Sequence, residues 1–315
     1  MNRRGAHSRP KIGFALASGG ARGAAITGAM KVLDREGIEV SAIAGSSIGA
    51  LVGAAHAAEI PIEKVEEEWL ATDLPKLFRG FLPTFPRAGL SSGSELRKML
   101  VRLLGDIRIE ELPIPFAAVA CDIDTGEEVV LREGPLVDAV RASTAIPGLF
   151  HPVRWGDRLL VDGGLVDPLP VGVCRDLGAE FVIALDITQR PQPTTKSVRS
   201  VWSRIGERLK DMADQTWVPN TLSELLDGVT REQPERSRPL PGLYSILNQS
   251  IAIMIQEIVR QKLASSPPDL LIRPDVSLSF LGYLHAADGI RAGERAAEEA
   301  LPELRRLLSR YDRNG

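Results

Sequence analysis

The sequence predicts an α/β domain built on a largely parallel central sheet, and three observations predict it. Short apolar runs of strand length alternate with stretches of helical periodicity, opening as strand, helix, strand, helix. The first two runs end in small-residue turns that start helices, Ser18-Gly19-Gly20-Ala21-Arg22-Gly23 and Gly45-Ser46-Ser47-Ile48-Gly49. The 315 residues are 44% hydrophobic and 25% charged, an ordinary globular composition with enough apolar material for a sizeable core.

Ile12 to Ala17 is the first strand, an unbroken apolar run suited to full burial. Ile26, Ala29, Met30 and Leu33 then recur at helical spacing, and Gly37 stops that helix. Val40 to Ala44 is the second strand and the small-residue stretch Ala50 to Ala58 the second helix. Leu74 to Ser94, rich in Pro, Gly and Phe, reads as an irregular excursion. Phe116 to Ile123 is a strand that Asp124-Thr125-Gly126 turns into Glu128 to Leu131. Arg158 to Val161 is a short strand ending at Asp162-Gly163-Gly164. Val171 to Leu177 is helical, and Phe181 to Ile187 is a further buried strand. Residues 12–188 thus form a core, preceded by a basic tail over 1–11 that reads as disordered.

Residues 189–242 are polar and Pro-punctuated, with short helical pieces at Val201 to Met212 and Thr221 to Val229. Two readings stay open for them, a cap over a site or an insertion without a role. A helix over Leu243 to Ala264 carries Ile246, Leu247, Ser250, Ile251, Met254, Ile255 and Ile258 on one face. Leu270 to Ile272 is a last strand, Ile290 to Ala300 a helix, and Pro302 starts a final one. Residues 243–315 therefore read as a C-terminal helical region that completes the core.

A formal net charge of −3 gives no reason to expect nucleic acid as a partner. Cys121 and Cys174 read as buried thiols of a reducing compartment, not as a disulfide. The apolar run after the basic N-terminus is too short for an export signal. Val40 to Ala58 is nearly long enough to span a bilayer, but its Gly, Ser and Ala content fits a buried strand and helix better. The chain reads as cytoplasmic, with contact at the inner membrane face left open.

The chemistry starts at Ser47. An apolar strand running into G-x-S-x-G and then a helix describes a nucleophile elbow, which holds the serine hydroxyl up at the strand tip. Gly45 and Gly49 supply the small neighbours such a turn requires. Close packing of helix on sheet is the alternative reason for the same residues. The loop Gly19-Gly20-Ala21-Arg22-Gly23 opens the first helix, where backbone N–H groups have no helical partner and suit negative charge. A dinucleotide site is disfavoured, because Ser18 replaces the first glycine and no acidic residue ends the second strand. An oxyanion site needs only those donors, with the Ile48 N–H as a further one, while tight packing again needs nothing more than glycine.

A serine nucleophile needs a base, and the chain has four histidines. His7 lies in the tail. His56 lies on the same helix as Ser47, about 13 Å along its axis at about 1.5 Å per residue. His285 sits in a polar stretch, and nothing local positions His151. Asp162 fills the vacancy: it ends an apolar strand, and Gly163-Gly164 leaves its carboxylate uncrowded at a strand tip. A partly desolvated carboxylate bonded to the serine can accept its proton. Taken alone, Asp162-Gly163 reads as a plain Asx turn.

In order and spacing, Gly19-Gly20-Ala21-Arg22-Gly23, Gly45-Ser46-Ser47-Ile48-Gly49 and Asp162-Gly163-Gly164 resemble the patatin-like phospholipase family. The stretch Ala142 to Gly148 looks like the family's segment between serine and aspartate. Asp269 to Pro274 and Ile290 to Glu294 look like the tail of bacterial members. The loop departs at Ser18, where the family has a further glycine. The resemblance implies a three-layer α/β/α fold with a mostly parallel central sheet and a Ser47–Asp162 dyad without histidine. It implies an oxyanion hole from Gly19, Gly20 and Ala21, and hydrolysis of fatty-acyl esters of phospholipids, lysophospholipids or related lipids. Arg22 either meets a phosphate or shapes the loop. No metal or other cofactor is expected, since neither calcium-loop nor zinc-ligand spacing occurs. A lipid acyltransferase using the same dyad and a non-catalytic lipid-sensing protein remain the alternatives. Head group, chain length and oligomeric state are open.

Overall fold

The computed structural model describes residues 10–71, 91–188, 243–276 and 283–314. Two units partition the chain, Met1–Thr188 with Ile255–Gly315, and Gln189–Met254. The first unit holds the sheet and positions the site. The insertion over 189–242 lies outside the described residues, as does most of the expected excursion over Leu74 to Ser94 and of the tail over 1–11. Of these only Ser91–Ser94, where Ser91 bridges Phe150 and Ser94 opens a helix, and Pro10 and Lys11 are described.

Eight strands form one sheet: β1 (Ile12–Leu16), β2 (Val40–Ser46), β3 (Phe116–Asp122), β4 (Glu128–Leu131), β5 (Val153–Trp155), β6 (Arg158–Asp162), β7 (Phe181–Leu185) and β8 (Leu270–Ile272). Their order is β5-β6-β3-β2-β1-β7-β8, with β4 paired to β3 off that path. From β3 through β8 every pairing is parallel, while β4, β5 and β6 pair antiparallel. β1, β3 and β7 are buried at every residue. Strands covered on both faces have no polar side to show, which is why they read as continuous apolar runs.

Helices cover both faces, giving the three-layer α/β/α arrangement. Neighbouring residues of β1 report the two sides, because side chains alternate across a strand. The Phe14 ring lies 6.2 Å from that of His56 on α2 (Ile48–Ala57). Gly13 instead lies against Cys174 of α6 (Val171–Asp176) and Ala179 just beyond it. α1 (Gly23–Arg35) shares the α2 face, since right-handed crossovers carry β1 to β2 and β2 to β3 in the same direction. α3 (Ile62–Leu70) is tied to α1 by a 3.0 Å bond from Trp69 Nε1 to Thr27 Oγ1. α4 (Ser94–Leu104) and α5 (Leu136–Ser143) complete the elements before the β5–β6 hairpin. The residue after α7 (Leu243–Ser265), Ser266, lies against Gly172 of α6.

Two C-terminal features differ from expectation. Along α7, Ile246 and Met254 are exposed, Ile255 and Ile258 half-buried and Val259 buried, so only part of the anticipated face is covered. α8 (Ala286–Asn314) runs unbroken through Pro302 where a new helix was expected to start. Proline there removes one backbone donor. Burial of Ala297, Leu301 and Leu304 on both sides of it offsets that loss. α8 crosses α1 at backbone contact: a Cβ on Gly293 would fall on the Ala25 carbonyl, and one on Gly28 on that of Ile290.

Candidate active site

The site arises where two strands meet end to end. β4 occupies one edge of β3 over Ala118–Cys121. β2 and β6 therefore share the other edge, β2 along Phe116–Val119 and β6, running the opposite way, along Ala120–Asp122. Their C-terminal ends converge, with Ser46 opposite Val119 and Asp162 opposite Ala120. Gly163 permits the approach, since a Cβ there would land on the Val119 carbonyl.

Ser47 takes φ 54° and ψ −121° between β2 and α2. Positive φ is costly for a residue with a Cβ and persists only where the surroundings over-determine it. Gly49 explains part of that constraint, because a Cβ there would strike the Leu16 carbonyl, and Gly45 packs on the Gly49 backbone. The Ser47 hydroxyl donates to Asp162 Oδ2 at 2.5 Å. Asp162 Oδ1 accepts the Gly164 N–H at 2.8 Å. Asp162 thus makes the Asx turn and receives the serine with different oxygens. Ser47 is 4% exposed and Asp162 7%. Burial pushes the Asp162 carboxyl up to about 6, against the bonds from Ser47 and Gly164 that favour its charged form.

The glycine loop lies beside this pair, since β1 pairs with β2 so that Leu16 faces Gly45. The Ser18 N–H donates to the Pro168 carbonyl at 2.8 Å and anchors the loop's start. Gly20–Arg22 form a 3₁₀ turn leading into α1. Among the described residues no backbone carbonyl takes the N–H of Gly19, Gly20 or Ala21. Arg22 is buried, and its Nε donates to the Gly19 carbonyl at 3.2 Å. That contact ties the side chain to its own loop. Burial lowers its guanidinium to about 10, with Asp186 acting in the opposite direction. Gly23 packs on Ile48 and Gly164 on the Ser18 side chain, so loop, elbow and aspartate turn are in direct contact.

Residues 14–175 match the family described as patatin-like phospholipase. The chain belongs to that family. Membership places it among lipid hydrolases. An uncharacterised NTE family protein of Mycobacterium tuberculosis is 31% identical over 335 aligned positions, covering 93% of this chain and 92% of that one. Patatin-like phospholipase domain-containing protein 6 of Homo sapiens is 32% identical over 218 positions, 66% of this chain but only 16% of the human protein. Among solved structures, VipD from Legionella pneumophila aligns with a TM-score of 0.45 at 14% identity, covering 96% of this chain and 67% of that one.

Three histidines of this patatin-like chain fall among the described residues. His56 Nδ1 sits 3.9 Å from Asp34 Oδ2 at the far end of α2. Burial favours its neutral form, and Asp34 acts against that. His151 donates its backbone N–H to Ser91, and His285 is exposed. Cys121 and Cys174 are free and buried, and burial pushes the Cys174 thiol up to about 12. Among the described residues no cluster of three or more His, Cys, Asp or Glu is arranged to hold a metal. No described helix is long and apolar enough to cross a membrane, and Val40 to Ala57 is β2 followed by α2.

One site residue had no role in the sequence reading. Ser143, at the end of α5, accepts the Ser47 N–H at 2.8 Å and donates to the Val119 carbonyl at 2.5 Å. Its only trace in the sequence is its place in the stretch that resembles the family's segment between serine and aspartate.

Proposed function

We propose that this chain is a serine acyl hydrolase acting on fatty-acyl esters of lipids, with Ser47 as nucleophile and Asp162 as its base. The observation that carries the proposal is the 2.5 Å bond from Ser47 to Asp162, made by a buried serine held at positive φ. As Ser47 Oγ bonds to the ester carbon, its proton passes to Asp162 Oδ2. The carbonyl oxygen becomes an oxyanion received by the N–H groups of Gly19, Gly20 and Ala21, with Ile48 as a further donor. Collapse breaks the ester C–O bond, and the departing alkoxide takes the proton from Asp162. Water then attacks the acyl carbon, giving up a proton to Asp162; the bond from that carbon to Ser47 Oγ breaks, Ser47 takes the proton back from Asp162, and the fatty acid leaves.

A base with a pKa of about 6 suits this cycle. It is ionised at neutral pH, yet basic enough to share a proton with a hydroxyl at short range. Each oxyanion donor is worth about 10²–10³ in turnover where such donors have been removed. Lipid esters as the substrate class follow from the family, and a membrane surface is the natural source of them.

Labelling with a fluorophosphonate probe tests the reading. An adduct on Ser47 is expected in the folded wild type and none in Ser47→Ala. A folded wild type that takes no adduct overturns the proposal. Product analysis with an added alcohol acceptor then separates hydrolysis from acyl transfer.

A further inference from the structure

We infer that Ser143 is a positioning residue for Ser47, holding the nucleophile's backbone through a hydroxyl relay anchored on β3. The inference rests on the serine hydrolase reading and adds a residue to it. On the edge of β3 shared by β2 and β6, the hydrogen-bond ladder is interrupted where the two strand ends meet. The Val119 carbonyl faces that junction, as shown by the clash a Cβ on Gly163 would make with it. The Ser47 N–H, the first after β2 ends at Ser46, opens on the same junction, where it meets the Ser143 hydroxyl. Both are buried backbone polar groups, and such groups are expensive to leave unpaired.

Ser143 satisfies both with one oxygen. A carbonyl can only accept, so the hydroxyl proton must point at Val119, and an oxygen lone pair is then left for the Ser47 N–H. The relay has one direction and therefore specifies one orientation of the Ser47 peptide. Ser143 is fully buried, so water has no access to replace it. The N–H it engages is also withdrawn from the oxyanion, leaving that task to Ile48 and the glycine loop. Without the relay, Ser47 keeps its hydroxyl and its Asp162 partner but loses the contact that fixes its strained backbone.

The test compares Ser143→Ala and Ser143→Thr with the wild type on a short-chain p-nitrophenyl ester, with thermal melts to establish folding. Ser143→Ala should lower kcat by about tenfold to a hundredfold, as expected for a buried donor left unpaired at a reacting group, with KM within about twofold. The pH at which kcat is half-maximal should stay where it is, because Asp162 is untouched. Ser143→Thr keeps the hydroxyl and should return kcat to within about threefold of the wild type. If Ser143→Ala fails to fold, Ser143→Cys takes its place, since its thiol fills the space and bonds weakly; the same fall in kcat is expected. Wild-type kcat in a folded Ala or Cys variant overturns the inference, as does a folded Thr variant as slow as the Ala one. A wild type that neither labels nor turns over overturns the serine hydrolase reading itself.

Discussion

Helix α2 carries an acid–base pair at each end, and the two pairs differ in almost every physical respect. At its N-terminus Ser47 and Asp162 are buried, 2.5 Å apart and joined through a residue at positive φ. At its C-terminal end His56 and Asp34 sit 3.9 Å apart, with side chains 15% and 33% exposed. Burial raises the pKa of both aspartates. At the first pair the serine itself takes positive φ, neighbouring glycines permit close approach, and among the described residues no backbone carbonyl takes the N–H groups of the adjacent glycine loop. The lesson is that a histidine beside a carboxylate is not enough to make a site. The serine end gathers closely spaced buried groups around one hydroxyl, whereas the histidine end is a partly solvated pair at the bottom of the sheet.

Asp162→Asn should break the difference between the two ends most severely. The amide cannot take the serine proton, so turnover of a short-chain ester should fall by about 10³-fold or more. Near-normal turnover would return attention to His151. The same change should stabilise the fold at neutral pH. Burial raises the folded pKa of Asp162 from 3.8 to about 6, so its contribution to stability is fully present below about pH 4 and is lost as pH rises through about 6. The loss is of order 3 kcal/mol at about 1.4 kcal/mol per pKa unit. Denaturant melts should therefore show the Asn variant ahead at pH 8 and level with the wild type near pH 4.

Gly49→Ala comes next. Its methyl would strike the Leu16 carbonyl and force α2 away from β1. A loss of about 1–3 kcal/mol in stability is expected from such overpacking, together with about tenfold or more in kcat as the elbow shifts. Wild-type labelling kinetics in this variant would show that the elbow tolerates displacement. A gentler probe is pH. Turnover of the wild type should decline about tenfold per unit below pH about 6, as Asp162 becomes protonated. A flat profile down to pH 4 would remove Asp162 from the role of base.

The smallest effect is expected at the other end of the helix. His56→Gln should leave kcat within about twofold and stability within about 1 kcal/mol, as is usual for pairs that are partly exposed. Burial lowers the His56 pKa, so the wild-type residue gives up stability as pH falls through about 6.5 and charging is forced. The Gln variant should be less acid-sensitive in a thermal melt at pH 5. A large loss of activity would show that the two ends are coupled through α2.

Much of the fold was legible because its signals are local. Ile12–Leu16 and Phe181–Leu185 are apolar throughout since both faces of the sheet are covered, and a run of that length reads as a strand without any tertiary knowledge. The elbow and glycine loop were legible for the same reason, as each is a strand-to-helix turn whose residue types are set by its own backbone. α3, α4 and α5 fall outside the elements expected from the sequence, as does β5, whose three residues carry no periodicity. Pro302 misled because a proline's preference for helix starts is weaker than the burial of Leu301 and Leu304 beside it.

By itself the sequence determined the α/β class, the order of the early elements, the family, and Ser47 and Asp162 as the pair to examine. Those follow from residue types over a few positions. Only the tertiary structure decided that β2 and β6 end against each other on one edge of β3, bringing residues 115 positions apart within 2.5 Å. It also decided that Ser143 bridges the junction between them, and that His56 lies at the wrong end of its helix. The physical reason is that edge sharing and hydrogen-bond direction belong to pairs of distant segments. No local pattern in either segment records which edge of a third strand it will share.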